Sequence, residues 1–133
     1  MTNQISNSNV SIPTPVKIFT WILICAGLFF FYVYTFSPGI SFPNANLDSY
    51  SAKMGFASAG VRILGSLIAL LISVLANNPR WLFITLISRI CIELGDVVTG
   101  LTLDGATVNT ISFLILASLE IWAVLRLWKV IKS

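Results

Sequence analysis

The chain has 133 residues, of which 56% are hydrophobic and only 10% charged, and its mean hydropathy is +0.90. About 25% of the residues of an ordinary soluble domain are charged, and a domain of this size still exposes roughly a third of its chain area. Eight basic and five acidic residues cannot cover such a surface, so the composition excludes a soluble globular domain, a disordered chain and a nucleic-acid-binding protein. Lipid is the expected solvent, and at about 20 apolar residues per span the length allows four spans.

Along the sequence, a polar N-terminal tail is followed by four apolar runs. Residues 1–15 are polar, uncharged and rich in Asn and Ser, which predicts a flexible tail. The first apolar run, 16–36, is longer than the core of a secretory signal, so a retained helix is predicted. After the longest loop, three more helices are predicted over 55–76, 80–101 and 106–130. The fold class is therefore all-α, an antiparallel bundle of four transmembrane helices that forms one domain of residues 16–133.

Two residue counts exclude further kinds of site. The sequence contains no histidine, which excludes haem ligation by histidine, histidine metal sites and histidine general bases. Its two cysteines, Cys25 and Cys91, lie in different apolar runs without a CxxC pair, so buried free thiols are predicted in place of a redox site. No catalytic residue and no metal site is predicted, and no cofactor is assigned.

The charges outside the spans predict the orientation in the membrane. An even number of spans places both termini on one side, and that side collects five basic residues: Lys17, Arg80, Arg126, Lys129 and Lys132. The other side has Lys53 with Asp48 and Asp104. Because Lys and Arg favour cytoplasmic loops, a multi-pass protein with both termini in the cytoplasm is predicted.

Five ionisable residues lie inside the predicted spans, where each costs about 2.5–3.5 kcal/mol at a helix centre unless it is paired or hydrated. They are Arg62, Arg89, Glu93, Asp96 and Glu120. The three on the third helix are spaced i, i+4 and i+7 and share one face. On the second helix, small residues surround Arg62 on one face, which favours close contact with a neighbouring helix.

The turns predict which of these charges meet. A turn centred near Asn78 brings Arg62 level with Glu93 and Asp96. A turn centred at 104–105 brings Glu120 level with Arg89, deeper in the bundle. Two positive charges then face three negative ones, so one carboxylate is expected to be protonated or matched by a ligand or water.

The predicted charged cluster has two interpretations. A buried ion pair stabilises less than apolar packing but can fix helix register, so the charges can serve packing alone in a non-catalytic accessory or scaffold subunit. Alternatively, intramembrane charges line a binding pocket or a proton or ion path. The leading hypothesis is that these residues bind a small polar or amphipathic ligand, or that they conduct protons or ions. Arg62 and Arg89 would then hold anionic groups, and one of the carboxylates would titrate. An intramembrane enzyme is the weakest option, because no nucleophile–base pair or metal set stands out.

Three segments carry a family resemblance: GVRILGSLIALL, SRICIELGDVVTGLTLDG and SLEIWAVLRLW. They resemble the DoxX-like group of small bacterial four-helix membrane proteins over about residues 55–128. The resemblance matches Arg89, Asp104, Gly105 and Glu120 to polar residues that the group shares, whereas Glu93 and Asp96 look like additions. The resemblance implies that the protein lies in a bacterial inner (cytoplasmic) membrane. Transport by a 14.6 kDa bundle would require a larger assembly, so the expected partners are the bilayer and a second copy or another membrane protein.

Overall fold

The computed structural model describes residues 10–42, 46–103 and 105–133, and within these ranges the chain is all-helical. The four long helices are α1 (Thr14–Phe36), α2 (Tyr50–Leu75), α3 (Pro79–Leu103) and α4 (Val108–Lys132), and a short 3-10 helix (Pro38–Ile40) follows α1. The four predicted helices are therefore present. Residues 1–9 of the predicted tail and Asp104 of the predicted last turn lie outside the described residues.

The start of α2 differs most from the sequence prediction. The helix begins at Tyr50, five residues before the predicted start at 55. The hydroxyl of Ser49 accepts a hydrogen bond from the Ala52 N–H at 3.2 Å, which satisfies one of the free amide donors of the first turn. A side-chain cap thus extends the helix beyond its apolar run.

Two asparagines shape the short turn between α2 and α3. Asn77 has a φ of 48°, in the left-handed region that asparagine tolerates better than most residues. The side-chain oxygen of Asn78 accepts the N–H groups of Arg80 and Trp81 at 3.0 and 3.2 Å. Pro79 occupies the first helical position, where its missing N–H costs nothing. The chain therefore passes from one helix to the next with few connecting residues.

Three of the described helices, α1, α2 and α4, are long and apolar enough to cross a membrane, with mean hydropathies of 2.1, 2.0 and 1.8. Helix α3 has 25 residues, which corresponds to about 37 Å at 1.5 Å per residue, so it has sufficient length. Its charged residues are Arg80, Arg89, Glu93 and Asp96, and composition alone therefore does not identify it as a span.

The apolar core occupies the half of the molecule that contains the α2–α3 turn. Apart from Ile12, which precedes α1, its members come from the first halves of α1 and α3 and the second halves of α2 and α4. Its members are Ile12, Val16, Leu23, Ile24, Leu67, Leu70, Val74, Leu82, Leu86, Ala123 and Leu127. Four of these leucines, at 70, 82, 86 and 127, have no exposed surface. Most of the buried apolar side chains therefore lie in this half of the molecule.

The helices contact one another unequally. The most extensive contacts join α3 to α4 and α1 to α2, those between α2 and α3 are fewer, and α1 touches α4 at few positions. Gly60 of α2 lies so close to Thr35 of α1 that an added Cβ would collide with the threonine hydroxyl. Phe19 and Trp122 join α1 to α4 by an edge-to-face contact with ring centroids 6.2 Å apart.

The prediction that both cysteines are buried is wrong. Cys25 and Cys91 are free thiols, but both lie exposed on the surfaces of α1 and α3. Each helix of a four-helix protein turns a large part of its surface outwards, and a thiol behaves as a small apolar group that lipid can cover. The cysteines therefore lie on outward faces.

Candidate functional site

The five predicted charged residues form one cluster across three helices, and we call it the charged cluster. Arg62 lies on α2, Arg89, Glu93 and Asp96 lie on α3, and Glu120 lies on α4. Arg89 and Glu93 are each 8% exposed and Glu120 is fully buried. The cluster divides into an inner and an outer group of ion pairs.

Arg89 is the centre of the inner group. Its Nε donates to Glu120 Oε1 at 2.6 Å, its Nη1 to the hydroxyl of Ser66 at 2.7 Å, and its Nη2 to Glu93 Oε1 at 3.2 Å. All three nitrogens of one guanidinium are therefore engaged, and they join α2, α3 and α4. The contact between Arg89 and Glu120 is the one that the turn positions predict. The contacts of Arg89 with Ser66 and Glu93 were not predicted.

The outer group consists of Arg62 and Asp96. Arg62 Nη2 donates to the two carboxylate oxygens of Asp96 at 3.1 and 3.0 Å. The two side chains are 48% and 27% exposed, so this pair is far less buried than the inner group. Of the two predicted partners of Arg62, the structure pairs it with Asp96. Glu93 instead faces Arg89, one helical turn away on its own helix.

A cavity of about 340 Å³ lies beside the charged cluster and has walls from all four helices. Four of the five charged residues are on its wall, and Glu120 lies behind Arg89. The other polar wall residues are Tyr34, Ser41, Ser66, Asn109 and Ser112. The remaining wall is apolar and consists of Leu23, Ala26, Gly27, Phe30, Ala59, Ile63, Ile92, Phe113, Ile115, Leu116 and Leu119.

The contribution of α1 to this wall was not predicted, because the predicted site lies on the second, third and fourth helices. Leu23, Gly27, Phe30 and Tyr34 of α1 line the cavity at spacings of four, three and four residues. This spacing places them on one face of a helix. The signal exists in the sequence, but the whole run is apolar and no charged residue marks the face.

Parts of the cavity wall on α1 and α4 are exposed at the molecular surface. Its wall residues Phe30 and Ile115 are 40% and 57% exposed, and they belong to the two helices with few mutual contacts. The contact of Phe19 with Trp122 lies nearer the apolar core. Of the neighbouring helix pairs that line the cavity, α1 and α4 therefore pack together least closely.

Two carboxylate oxygens of the inner group, Glu93 Oε2 and Glu120 Oε2, are buried without a hydrogen-bond partner among the described residues. Buried polar atoms are usually hydrogen-bonded, so such exceptions often mark functional sites. The Arg62–Asp96 pair is balanced in charge, whereas Arg89 faces two carboxylates. The charged cluster as a whole carries a formal charge of about −1 when all five groups are ionised.

No group of three or more His, Cys, Asp or Glu residues in the described ranges is arranged to hold a metal ion. Comparison with protein-family models, curated sequences and solved structures gives no match. The resemblance to the DoxX-like group therefore stays a prediction from the three quoted segments.

Proposed function

We propose that the chain is a small integral membrane protein, an antiparallel bundle of four transmembrane helices, whose cavity binds a small amphipathic ligand. The observation that carries this proposal is a 340 Å³ cavity with a largely apolar wall and a charged cluster on one side. Small-molecule sites typically measure about 300–1,000 Å³ and combine apolar walls with a few placed polar groups. The ligand's polar head would contact the charged cluster, and its apolar part would lie between α1 and α4.

The faces of α3 support its inclusion as the fourth span. Its buried face carries Arg89 and Glu93, and both have partners within the protein. Apart from Arg80 at its N-terminal end, its exposed large side chains are all apolar: Trp81, Ile84, Ile87, Leu94, Val98, Leu101 and Leu103. Charged residues inside membranes almost always face the bundle interior and pair with one another. Helix α3 meets this description although its mean composition does not.

The apolar core favours ligand binding over conduction. A path for protons or ions would have to continue from the charged cluster through the half that contains Leu70, Leu82 and Leu86, which is closely packed and apolar. The buried hydroxyls described in that half, those of Thr20 and Ser73, donate to backbone carbonyls of their own helices. The cavity thus has a closed end, as a binding site requires.

The alternative is an accessory or scaffold subunit in which the charged cluster only fixes helix packing. One observation favours it: Arg89 joins three helices through hydrogen bonds to Ser66, Glu93 and Glu120. A packing role predicts that substitution of these residues lowers stability and that no small molecule binds the cavity.

Two serines of α4 provide a matched test of binding. Ser112 and Ser118 are both exposed, and each donates to the carbonyl four residues earlier at 2.8 Å. Only Ser112 is on the cavity wall. The purified protein in phosphatidylcholine nanodiscs is titrated with n-octylammonium, n-octanol and n-octanoate, and binding is followed by the melting temperature.

We expect at least one octyl probe to raise the melting temperature of the native protein and of Ser118→Phe, but not of Ser112→Phe, whose ring fills the cavity. No increase with any of the three probes would contradict the proposed function. An equal increase in both variants would place the binding outside the cavity, and it would contradict the proposal as well.

In the proposed orientation both termini lie in the cytoplasm. The membrane is proposed to be a bacterial inner membrane. The end of α4 supports this orientation, because Lys132 lies over Trp128 with its Nζ 4.5 Å from the ring centroid, as at a membrane interface. In a Cys25→Ala, Cys91→Ala background, a membrane-impermeant maleimide should label Asp48→Cys in intact cells. It should label Ser133→Cys only after lysis, and the reverse pattern would contradict the orientation.

A further inference from the structure

The unequal charges of the inner group indicate which head group the cavity fits. Arg89 supplies one positive charge to the two carboxylates of Glu93 and Glu120, both nearly or fully excluded from solvent. A buried charge without a counter-charge is costly, so the inner group is incomplete by one positive charge. Of the two carboxylates, only Glu93 is on the cavity wall.

Glu93 has the position and the free acceptor that a counter-ion site needs. Its Oε1 accepts from Arg89, while its Oε2 is buried without a hydrogen-bond partner among the described residues. The residue is 8% exposed. Glu93 is a wall residue although its Oε2 is buried, so a cation in the cavity would lie close to the Glu93 carboxylate and stabilise its charge.

The arginines, in contrast, already have acceptors. Each guanidinium nitrogen of Arg89 donates to a described side chain, and Nη2 of Arg62 donates to both oxygens of Asp96. An anionic head group would add a further negative charge beside three carboxylates. The cavity therefore disfavours an anion, in contrast to the role of Arg62 and Arg89 expected from the sequence.

Aromatic rings on the wall provide a second, independent preference for a cation. Phe30 and Tyr34 come from α1, and Phe113 comes from α4. The faces of aromatic rings carry negative charge density and attract ammonium and guanidinium groups. Three aromatic residues and Glu93 thus line the same small volume.

From these observations we infer that the cavity takes an amphipathic cation, an alkyl or aryl ammonium or amidinium compound, with Glu93 as its counter-ion. This inference rests on the proposed function and adds the charge of the ligand to it. A proton on Glu93 would also balance the inner group, but it would leave the cavity without a preference for a cationic head. The two cases therefore differ in how binding depends on head-group charge.

The test compares the dissociation constants of n-octylammonium, n-octanol and n-octanoate for the native protein in phosphatidylcholine nanodiscs at neutral pH. Empty nanodiscs give the partition of each probe into lipid. We expect n-octylammonium to bind at least about tenfold more tightly than either other probe. Glu93→Gln should remove this preference and leave the affinity for n-octanol within about twofold.

Phe113→Leu provides a second variant that leaves the charged cluster intact. It should weaken the binding of n-octylammonium by a larger factor than that of n-octanol, because both probes lose apolar contact but only the cation also interacts with the ring face. If n-octanol or n-octanoate binds the native protein as tightly as n-octylammonium, the inferred cation is wrong while the binding cavity stands. If none of the probes binds, the proposed function itself fails.

Discussion

Replacement of Arg89 by methionine should destabilise the protein far more than the same replacement of Arg62. Arg89→Met would leave the fully buried Glu120 and the nearly buried Glu93 without their shared partner. Removal of one partner from a buried ion pair costs about 3–5 kcal/mol. Methionine keeps much of the length of the side chain, so the decrease in stability comes more from the missing charge than from the missing volume.

Arg62→Met is the matched control. Arg62 also pairs with a carboxylate of α3, but its side chain is 48% exposed and that of Asp96 is 27% exposed. Ion pairs with this exposure contribute about 0–1 kcal/mol, since solvent screens the charges. The structure therefore predicts a difference of at least about 2 kcal/mol between the two variants.

The free energy of unfolding is measured in mixed detergent micelles by titration with a denaturing detergent, with the fluorescence of the four tryptophans as the signal. The double variant Arg89→Met, Glu120→Met should be more stable than Arg89→Met alone, because it removes one of the carboxylates left without a partner. Equal losses for Arg89→Met and Arg62→Met would refute the reasoning. A double variant less stable than Arg89→Met would refute it too.

Three further predictions concern helix packing and the N-terminal cap of α2. Gly60→Leu should separate α1 from α2 and lower the melting temperature, whereas Gly65→Leu should have little effect because an added Cβ there meets no atom within 4 Å. Leu70→Ala should cost about 2–5 kcal/mol in the same unfolding titration, since Leu70 has no exposed surface, while the half-exposed Ile72→Ala should cost much less. Ser49→Ala should cost about 0.5–2 kcal/mol and increase hydrogen exchange in the first turn of α2, and unchanged exchange would contradict the cap.

The sequence predicts the helices well because each is a long apolar run closed by turn residues. It also predicts the partner of Glu120, since a short turn fixes which residues of two consecutive helices are level. It leaves open whether Arg62 meets Glu93 or Asp96, because both lie within about one helical turn of its level. The structure pairs Arg62 with Asp96, while Glu93 contacts Arg89 at 3.2 Å.

Two features could not be predicted from the sequence, for related physical reasons. The face of α1 that lines the cavity is not marked by polarity, because lipid and the cavity wall both accept Phe30 and Leu23. The exposure of Cys25 and Cys91 was missed for the same reason, since apolar composition separates inside from outside in water but not in lipid. In such a chain the rare charged residues carry most of the information about orientation.

The few contacts between α1 and α4 beside the cavity bear on how a ligand would be supplied under the proposed function. In a bilayer the gap between these helices would face acyl chains, so an amphipathic molecule would reach the cavity by diffusion within the membrane plane. Partition into the lipid then sets its local concentration, and a compound scarce in the aqueous phase can still saturate the site. Under the proposed function, affinities are therefore best expressed as mole fractions of ligand in lipid, and apparent affinities in total ligand concentration would change with the amount of lipid.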